Sequence, residues 1–217
     1  MSKYGLVIFD WDGTLMDSTR DITRAIQAAS ADLGLPVPDD ARASWVIGLS
    51  LEQALEHAVP DLTLSDREHF LARYRFHYLA RDAELTLFNG VVDMLESLGE
   101  RGVMLAVATG KSRVGLNRSL ASSGLGRYFV TTRCADETFS KPHPAMLHEI
   151  MDELGAQPDS VLMVGDTSHD LNMAANANVH GLGVTYGAHP EDELRSHPHQ
   201  ALVSDLDSLH QWLIQRT

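Results

Sequence analysis

Short apolar runs that alternate with helix-like segments constrain the fold of this chain more than any other feature. The first run, Leu6–Phe9, is continuously apolar, as expected for a strand that is buried on both faces of a parallel sheet. Further runs occur at Met104–Ala108, Tyr128–Thr131, Val161–Val164, Leu182–Val184 and Ala201–Val203. The helix-like segments between them are Val91–Leu98, Val114–Ser122, Ala145–Leu154, Asp170–Ala177 and Leu206–Ile214. This alternation predicts a doubly wound α/β fold, with a parallel sheet covered by helices.

The stretch from residue 17 to residue 83 has a different pattern. Ser18 with Asp21 resembles a capping box, and it precedes apolar residues with helical spacing. Three further helices are predicted at Ala41–Val46, Leu51–Val59 and Asp66–Ala80, and the stretch holds no convincing strand. We therefore expect a helical insert at residues 17–83, placed after the first strand of a core that residues 1–16 and 84–217 form.

Composition and charge exclude several classes of protein. The longest apolar stretch, Val103–Ala108, is far shorter than the ~20 residues of a membrane-spanning helix, and we expect no secretory signal. The single cysteine, Cys134, excludes an intrachain disulfide and a multi-cysteine metal site, so a reducing cytoplasm is the expected compartment. The net charge of −13, without any basic run, argues against binding to a nucleic acid. We expect no membrane partner either, and nothing demands an oligomer.

Polar residues follow the predicted strands, at the edge of the sheet where ligands bind in such folds. They are Asp10 and Asp12, then Thr109-Gly110, and later Asp166. Lys141, one of only three lysines, precedes a predicted helix. Clustered carboxylates without cysteine or paired histidine ligands favour a hard cation with oxygen ligands, and Mg²⁺ is the obvious one.

Asp10 and Asp12 form a pair that suits nucleophilic and acid–base chemistry. If strand geometry persists past Phe9, their side chains point to the same side, and their repulsion would raise the pKa of one of them. The charged carboxylate is then a candidate nucleophile, and the partly protonated one is a candidate general acid. Gly13 lets the backbone turn sharply, and Thr14 offers a hydroxyl and an amide to an anion.

Four motifs in order carry a family resemblance. The string DWDGTLMDS, Asp10 to Ser18, resembles the first signature of the haloacid dehalogenase superfamily. Thr109-Gly110 resembles the second signature, Lys141-Pro142 the third, and Gly165–Asp170 the fourth. The resemblance covers essentially the whole chain, and the helical insert matches the C1-type cap of that superfamily. More narrowly, the chain is similar to the phosphoglycolate phosphatase-like branch.

The resemblance implies a Rossmann-like three-layer core with a small all-helical cap inserted after the first strand. It implies that Asp10 attacks phosphorus and becomes an aspartyl-phosphate, and that Asp12 protonates the leaving group and later activates water. Lys141 would supply positive charge beside Asp10. Mg²⁺ would be held by Asp10, the Asp12 backbone carbonyl and Asp166, with Asp170 as a further ligand or as an orienter of bound water. The phosphate oxygens would be bound by Thr109, Gly110, Lys141 and the loop that contains Gly13 and Thr14.

These roles predict a Mg²⁺-dependent phosphomonoester hydrolase that acts on a small phosphorylated metabolite such as 2-phosphoglycolate. Asp12 favours phosphoryl transfer over dehalogenation, because a halide leaves without a proton. A phosphomutase of the β-phosphoglucomutase kind, a pyrophosphatase and a phosphate-responsive binding module without turnover stay open as alternatives. Two residues keep two interpretations each: Lys111 either assists phosphate binding or lies on the surface at a helix start, and His169 either approaches the site or lies on the surface.

Overall fold

The computed structural model of the chain describes residues 3–81 and 84–217. In chain order its helices and strands are β1 (Leu6–Phe9), β2 (Met16–Asp17), α1 (Thr19–Asp32), α2 (Asp40–Trp45), α3 (Leu51–Ala58), α4 (Arg67–Leu79), β3 (Thr86–Leu87), α5 (Val91–Glu100), β4 (Met104–Thr109), α6 (Arg113–Ser123), β5 (Thr131–Cys134), α7 (Ala145–Leu154), β6 (Val161–Gly165), α8 (Ser168–Asn176), β7 (His180–Val184), α9 (Glu191–Arg195), β8 (Leu202–Val203) and α10 (Leu206–Ile214). Six strands form one parallel sheet in the order β5-β4-β1-β6-β7-β8. The predicted α/β fold is confirmed.

Strand β1 lies in the middle of this sheet, between β4 and β6. Its last residue, Phe9, stands opposite Val107 of β4 and Val164 of β6, so the three strands end close to one another at the same edge. Because successive side chains of a strand point to opposite faces, Val7 and Phe9 pack against α5 and α10, whereas Leu6 and Ile8 pack against α7 and α8. The sheet is therefore the middle of three layers, and each fully buried side chain of this kind contributes about 1.5–3 kcal/mol.

The edge strand β5 begins later than predicted. Residues Leu125–Tyr128 form a 3-10 helix, and the strand runs over Thr131–Cys134, so the predicted strand at Tyr128–Thr131 is wrong. Gly124 ends α6 in the left-handed region with φ of 71°, and Leu125 is then buried in the core. The strand itself begins with two threonines and an arginine that are only half-buried. Because β5 lies at the edge of the sheet, its sequence can be polar. It therefore lacks the apolar run from which the other strands were predicted.

Helices α1–α4 follow β2 and precede β3, and they pack around an apolar cluster of their own. Ile26 and Ala29 of α1, Leu55 of α3 and Phe70 of α4 are each no more than 2% exposed. At the base of this helical insert, β2 and β3 pair in an antiparallel ribbon that the sequence did not predict, because two residues per strand show no periodicity. The domain division at residues 17–83 stays a prediction. Its end at residue 83 lies outside the described residues, as do residues 1 and 2.

Across residues 3–81 and 84–217, no helix combines the length and the apolar character that crossing a lipid bilayer requires.

Candidate active site

Three buried carboxylates meet beyond the carboxyl ends of β1 and β6. Asp10 follows β1, and its amide still donates to the carbonyl of Val164 at 2.9 Å, which continues the parallel ladder by one residue. Asp166 follows β6, and Asp170 lies in the first turn of α8, where its Oδ2 accepts hydrogen bonds from the amide and the hydroxyl of Thr167. One oxygen of each carboxylate lies within 4.8 Å of the other two. The structure therefore brings together three residues that the sequence singled out.

The Lys141 ammonium lies between two of these carboxylates. Its Nζ is 2.8 Å from Asp10 Oδ1 and 2.7 Å from Asp170 Oδ1, and the whole side chain is buried. Burial alone would lower the pKa of Lys141, but the two carboxylates together raise that pKa above its ordinary value. Lys141 therefore carries its positive charge inside the cluster, where it offsets the charge of the two carboxylates.

The cluster has the chemistry of a site for a hard cation. Three carboxylates face one ammonium, and among the described residues Asp10 Oδ2 is buried without a hydrogen-bond partner. Burial raises the pKa of Asp10 well above its usual range, against the effect of Lys141 and with further contributions from Asp170 and Asp166. Burial and the neighbouring Asp170 raise the pKa of Asp166 to about 7. A divalent cation held by these oxygens would relieve that repulsion, and an all-oxygen donor set suits Mg²⁺.

The loop after Asp12 contacts a carboxylate of the cluster, and its role in binding phosphate stays a prediction. The Thr14 hydroxyl donates to Asp166 Oδ1 at 2.8 Å, and the Ala188 amide donates to Asp166 Oδ2 at 2.7 Å. The Gly13 amide donates to the carbonyl of Met16 at 2.8 Å, so it is engaged within the turn. Gly13 has φ of 77°, and a side chain there would collide with the Asp166 carboxylate. Thr14 therefore helps to hold Asp166 in place, and Gly13 leaves room for that carboxylate.

The Asp12 carboxylate lies outside the three-carboxylate cluster and is held by other groups. Lys111 Nζ lies 2.9 Å from both of its oxygens, and the Ser18 hydroxyl donates to its Oδ1 at 2.6 Å. The expected repulsion between Asp10 and Asp12 is therefore replaced by an ion pair of Asp12 with Lys111.

The predicted capping box at the start of α1 is wrong. The Ser18 side chain makes no hydrogen bond to the first turn of the helix and instead binds Asp12, and Asp21 pairs with Arg81, which follows α4.

Lys111 is largely withdrawn from the surface, which argues against the surface interpretation, whereas assistance to phosphate binding stays a prediction. Its side chain is only 10% exposed, and it contacts the site at Asp12 rather than lying on the surface. Burial acts to lower the pKa of Lys111, yet Asp12 and Tyr78 raise that pKa above its ordinary value. The position of Lys111 directly after Thr109-Gly110 was a sequence signal that it lies near the site, but a lysine at the start of a helix is an equally common surface feature.

The second signature lies against the helical insert. Thr109 is buried at the end of β4, and its hydroxyl oxygen accepts a hydrogen bond from the Lys111 amide at 3.2 Å. A Cβ atom on Gly110 would lie 2.5 Å from the carbonyl oxygens of both Gly48 and Leu49 in the insert. Because real Cβ atoms do not approach backbone so closely, only glycine fits here. The loop at 48–49 therefore closes over the candidate phosphate-binding residues.

A second contact between the insert and the sheet was missed in the sequence. The Trp45 carbonyl lies 2.9 Å from Nε2 of both His169 and His189, and the Trp45 indole donates to Glu193 Oε1 at 2.9 Å. His169 is thus buried beside the site, and burial lowers its pKa to about 4. A lone tryptophan in a helical stretch gave no signal for this contact, because its partners come from two distant segments.

Mg²⁺ affinity is expected to fall as the pH drops below about 7. The raised pKa of Asp166, about 7, means that a proton competes with the cation for this carboxylate in neutral solution. Below that pH, each unit of acidification should weaken binding by at least about tenfold, with at least about one proton released per ion bound, because the pKa of Asp10 is raised as well. Calorimetric titrations of the protein with Mg²⁺ from about pH 5 to about pH 8 measure both quantities. An affinity independent of pH across that range would contradict the assignment.

Comparison with known proteins agrees with this geometry. The family model described as haloacid dehalogenase-like hydrolase matches residues 7–184. The probable phosphatase IndB of Dickeya dadantii (strain 3937) is 38% identical over 91% of this chain and 88% of its own length. A 5'-nucleotidase of Pseudomonas aeruginosa is 34% identical over 97% of this chain and 96% of its own length.

Two further relatives extend the comparison. The phosphoglycolate phosphatase of Mannheimia succiniciproducens is 31% identical over 86% of this chain and 88% of its own length. The crystal structure of a hydrolase from Pseudomonas syringae has the same fold, with a TM-score of 0.88 at 23% identity and 99% coverage of both chains. The chain therefore belongs to the haloacid dehalogenase-like hydrolases and is a phosphatase of that family.

Proposed function

We propose that this phosphatase is a Mg²⁺-dependent phosphomonoester hydrolase that forms a phosphoryl intermediate on Asp10 and acts on a small phosphorylated metabolite. One observation carries the proposal: the Asp10 carboxylate lies within ion-pair distance of Lys141 and clusters with Asp166 and Asp170 in a buried site. Such a site offers a nucleophile together with the positive charge that an approaching phosphate needs.

The two half-reactions balance as follows. In the first, an Asp10 oxygen forms a bond to phosphorus while the ester P–O bond breaks, and Asp12 gives a proton to the departing oxygen. In the second, a water oxygen attacks phosphorus while Asp12 takes a proton from that water. The bond between Asp10 and phosphorus then breaks, which releases inorganic phosphate and restores the Asp10 carboxylate and the protonated Asp12 of the starting state. Lys141 stabilises the negative charge on the transferring group in both steps.

The metal would be held by the carboxylates of Asp10 and Asp166, with the Asp12 backbone carbonyl and Asp170 as further candidates. When bound, Mg²⁺ supplies electrostatic stabilisation of the phosphoryl oxygens and offsets the repulsion between a carboxylate and a phosphate. Thr109 and Gly110, at the end of β4, would bind the phosphate oxygens from the other side. Thr14 holds Asp166 through its hydroxyl and Gly13 leaves room for it, and the loop that contains both residues stays a candidate for binding phosphate oxygens.

Substrate size follows from the closure of the insert over the site. The carbonyls of Gly48 and Leu49 lie against Gly110, so the insert approaches the core closely at a residue proposed to bind phosphate. This favours a compact leaving group, of which 2-phosphoglycolate is the leading candidate. Because a 5'-nucleotidase is among the relatives, a nucleoside monophosphate is the second candidate. We further propose that residues 17–83 act as the cap and that the protein works in the cytoplasm without a required oligomer.

Phosphate release from a panel of phosphorylated metabolites, with Mg²⁺ or with a chelator, tests the proposal. The expected result is Mg²⁺-dependent release, with the highest kcat/KM for 2-phosphoglycolate among compounds that include nucleoside monophosphates and pyrophosphate. A sugar phosphate that is returned as an isomer with little free phosphate would favour the phosphomutase. Absence of phosphate release from every compound, p-nitrophenyl phosphate included, would overturn the proposal in favour of the binding module.

A further inference from the structure

Asp166, the carboxylate that follows β6, is enclosed between the loops that follow β1 and β7. A side chain on Gly13, in the first loop, or on Gly187, in the second, would collide with the Asp166 carboxylate. The two glycines therefore let backbone lie directly against this carboxylate, where a Cβ atom has no room.

The same two loops donate hydrogen bonds to both oxygens of Asp166. The Thr14 hydroxyl, from the loop after β1, donates to Oδ1 at 2.8 Å, and the Ala188 amide, from the loop after β7, donates to Oδ2 at 2.7 Å. The next amide, that of His189, donates to the backbone carbonyl of Asp166 at 3.3 Å. Because a carboxylate oxygen has about two lone-pair sites, each oxygen keeps one for a cation while the donors set the direction of both.

Tyr186 ties the two loops to each other. Its hydroxyl donates to the Thr14 carbonyl at 3.0 Å, and its ring packs edge-on against Phe88 with the ring centres 4.7 Å apart. Tyr186 and Ala188 belong to one short segment, so the hydrogen bonds form a closed circuit that passes through both loops and the Asp166 carboxylate. The separation of the two donors is therefore set by a contact outside the carboxylate itself.

A carboxylate of fixed direction favours a small cation over a larger one. Mg²⁺ requires nearly octahedral geometry with oxygen ligands at about 2.0–2.1 Å, whereas Ca²⁺ accepts variable geometry at about 2.3–2.6 Å. Loosening one ligand should therefore cost Mg²⁺ more affinity than it costs Ca²⁺. Groups that orient a metal ligand typically contribute about 10- to 100-fold to metal affinity.

We propose that Tyr186 is a positioning residue for the metal ligand Asp166. Through its hydrogen bond to Thr14 it holds the segment from Tyr186 to Ala188 in place, so that the site selects Mg²⁺ over Ca²⁺. The inference rests on the proposed function, in which Asp166 holds the metal, and it assigns a role to a segment that the phosphoryl-transfer steps do not use. Tyr186 acts on the metal only through these neighbours.

Calorimetric titrations of the metal-free protein with Mg²⁺ and, separately, with Ca²⁺ test this role at about pH 8, above the pKa of Asp166. Tyr186→Phe removes only the hydroxyl and keeps the ring that packs against Phe88. The dissociation constant for Mg²⁺ should rise by about tenfold or more, and that for Ca²⁺ by no more than a few-fold. The ratio of the two constants is the readout, since a general loosening of the fold would weaken the binding of both ions alike.

Two further variants serve as controls. Tyr128→Phe removes a hydroxyl that donates to Glu96 at 2.6 Å on the surface, and it should leave both dissociation constants unaltered. Thr14→Val removes the donor to Asp166 Oδ1 but keeps the carbonyl that accepts from Tyr186. Combined with Tyr186→Phe, it should weaken Mg²⁺ binding by clearly less than the product of the two single losses, because both changes release the same carboxylate.

Gly187→Ala decides the matter if thermal melts with a chelator show that Tyr186→Phe does not fold. It places a methyl group against the Asp166 carboxylate, and it should cause the same selective loss of Mg²⁺ affinity. An unaltered ratio of constants in the folded variant, or fully multiplicative losses in the double variant, overturns the assignment; Mg²⁺-dependent phosphate release by the unaltered protein then leaves the proposed function standing. If the unaltered protein binds no Mg²⁺ and releases no phosphate from p-nitrophenyl phosphate, the proposed function and the assignment both fail.

Discussion

Asp10→Asn is expected to abolish Mg²⁺-dependent phosphate release, with kcat lower by at least about 10⁴-fold, as is typical when a covalent nucleophile is removed. The amide has nearly the same shape as the carboxylate, but it is neutral and a poor nucleophile. Asp170 also contacts Lys141, but Asp10 is the carboxylate that directly follows β1. The measurement is the single-turnover rate with p-nitrophenyl phosphate, together with a search for the phosphorylated protein by mass spectrometry.

Folding of the Asp10→Asn variant should be intact, which separates a chemical loss from a structural one. Lys141 keeps Asp170 as its ion-pair partner at 2.7 Å. Moreover, burial raises the pKa of Asp10, which indicates that its charge is unfavourable in the metal-free protein. The melting temperature without Mg²⁺ should thus equal or exceed that of the unaltered protein. Substantial residual Mg²⁺-dependent turnover in the variant would rule out Asp10 as the nucleophile.

Lys141→Met should remove both activity and stability. The substitution leaves Asp10 and Asp170 buried without the ammonium that lies between them. Removing one partner from a buried ion pair costs about 3–5 kcal/mol in the free energy of unfolding. The loss of positive charge beside the transferring group lowers kcat as well, by about 10²-fold or more. Urea denaturation and steady-state kinetics measure the two effects.

A matched substitution and a metal titration give this experiment its controls. Lys3→Met makes the same change at an exposed lysine, where the free energy of unfolding should change by no more than about 0.5 kcal/mol. Mg²⁺ should restore part of the stability of Lys141→Met, because the cation offsets the same carboxylates, but it should not restore kcat. An active Lys141→Met variant of normal stability would contradict the role of the ammonium.

Residues at the ends of central strands were predictable from the sequence. The apolar run of β1 ends at Phe9, and a parallel ladder on each side places Asp10 next to the end of β6. No knowledge of side-chain rotamers is needed for that inference, because parallel strands share their carboxyl edge. The same reasoning failed for β5, since an edge strand can be polar and carries no apolar run.

Contacts that depend on side-chain direction were not predictable. Asp12 follows Asp10 by two residues, yet the turn at Gly13 directs its carboxylate to Lys111 and away from the cluster. The Thr14 hydroxyl likewise binds Asp166, which is distant in sequence. The burial of Lys111 depends on Tyr78, and no local pattern links a lysine after β4 to a tyrosine of the insert. The first two contacts are set by the conformation of loops after different strands, and the third by how the insert packs on the core; a single sequence specifies none of them.

The ribbon of β2 and β3 also bears on how the insert can move. The chain leaves the sheet through β2 and returns through β3, and these two segments are hydrogen-bonded to each other. Rotation of the four helices about this ribbon stretches neither connection, so the geometry allows a one-axis swing. Ser18, the residue next to β2, also donates to Asp12, which is the proposed proton donor. A swing about this ribbon would therefore also shift a residue that holds Asp12.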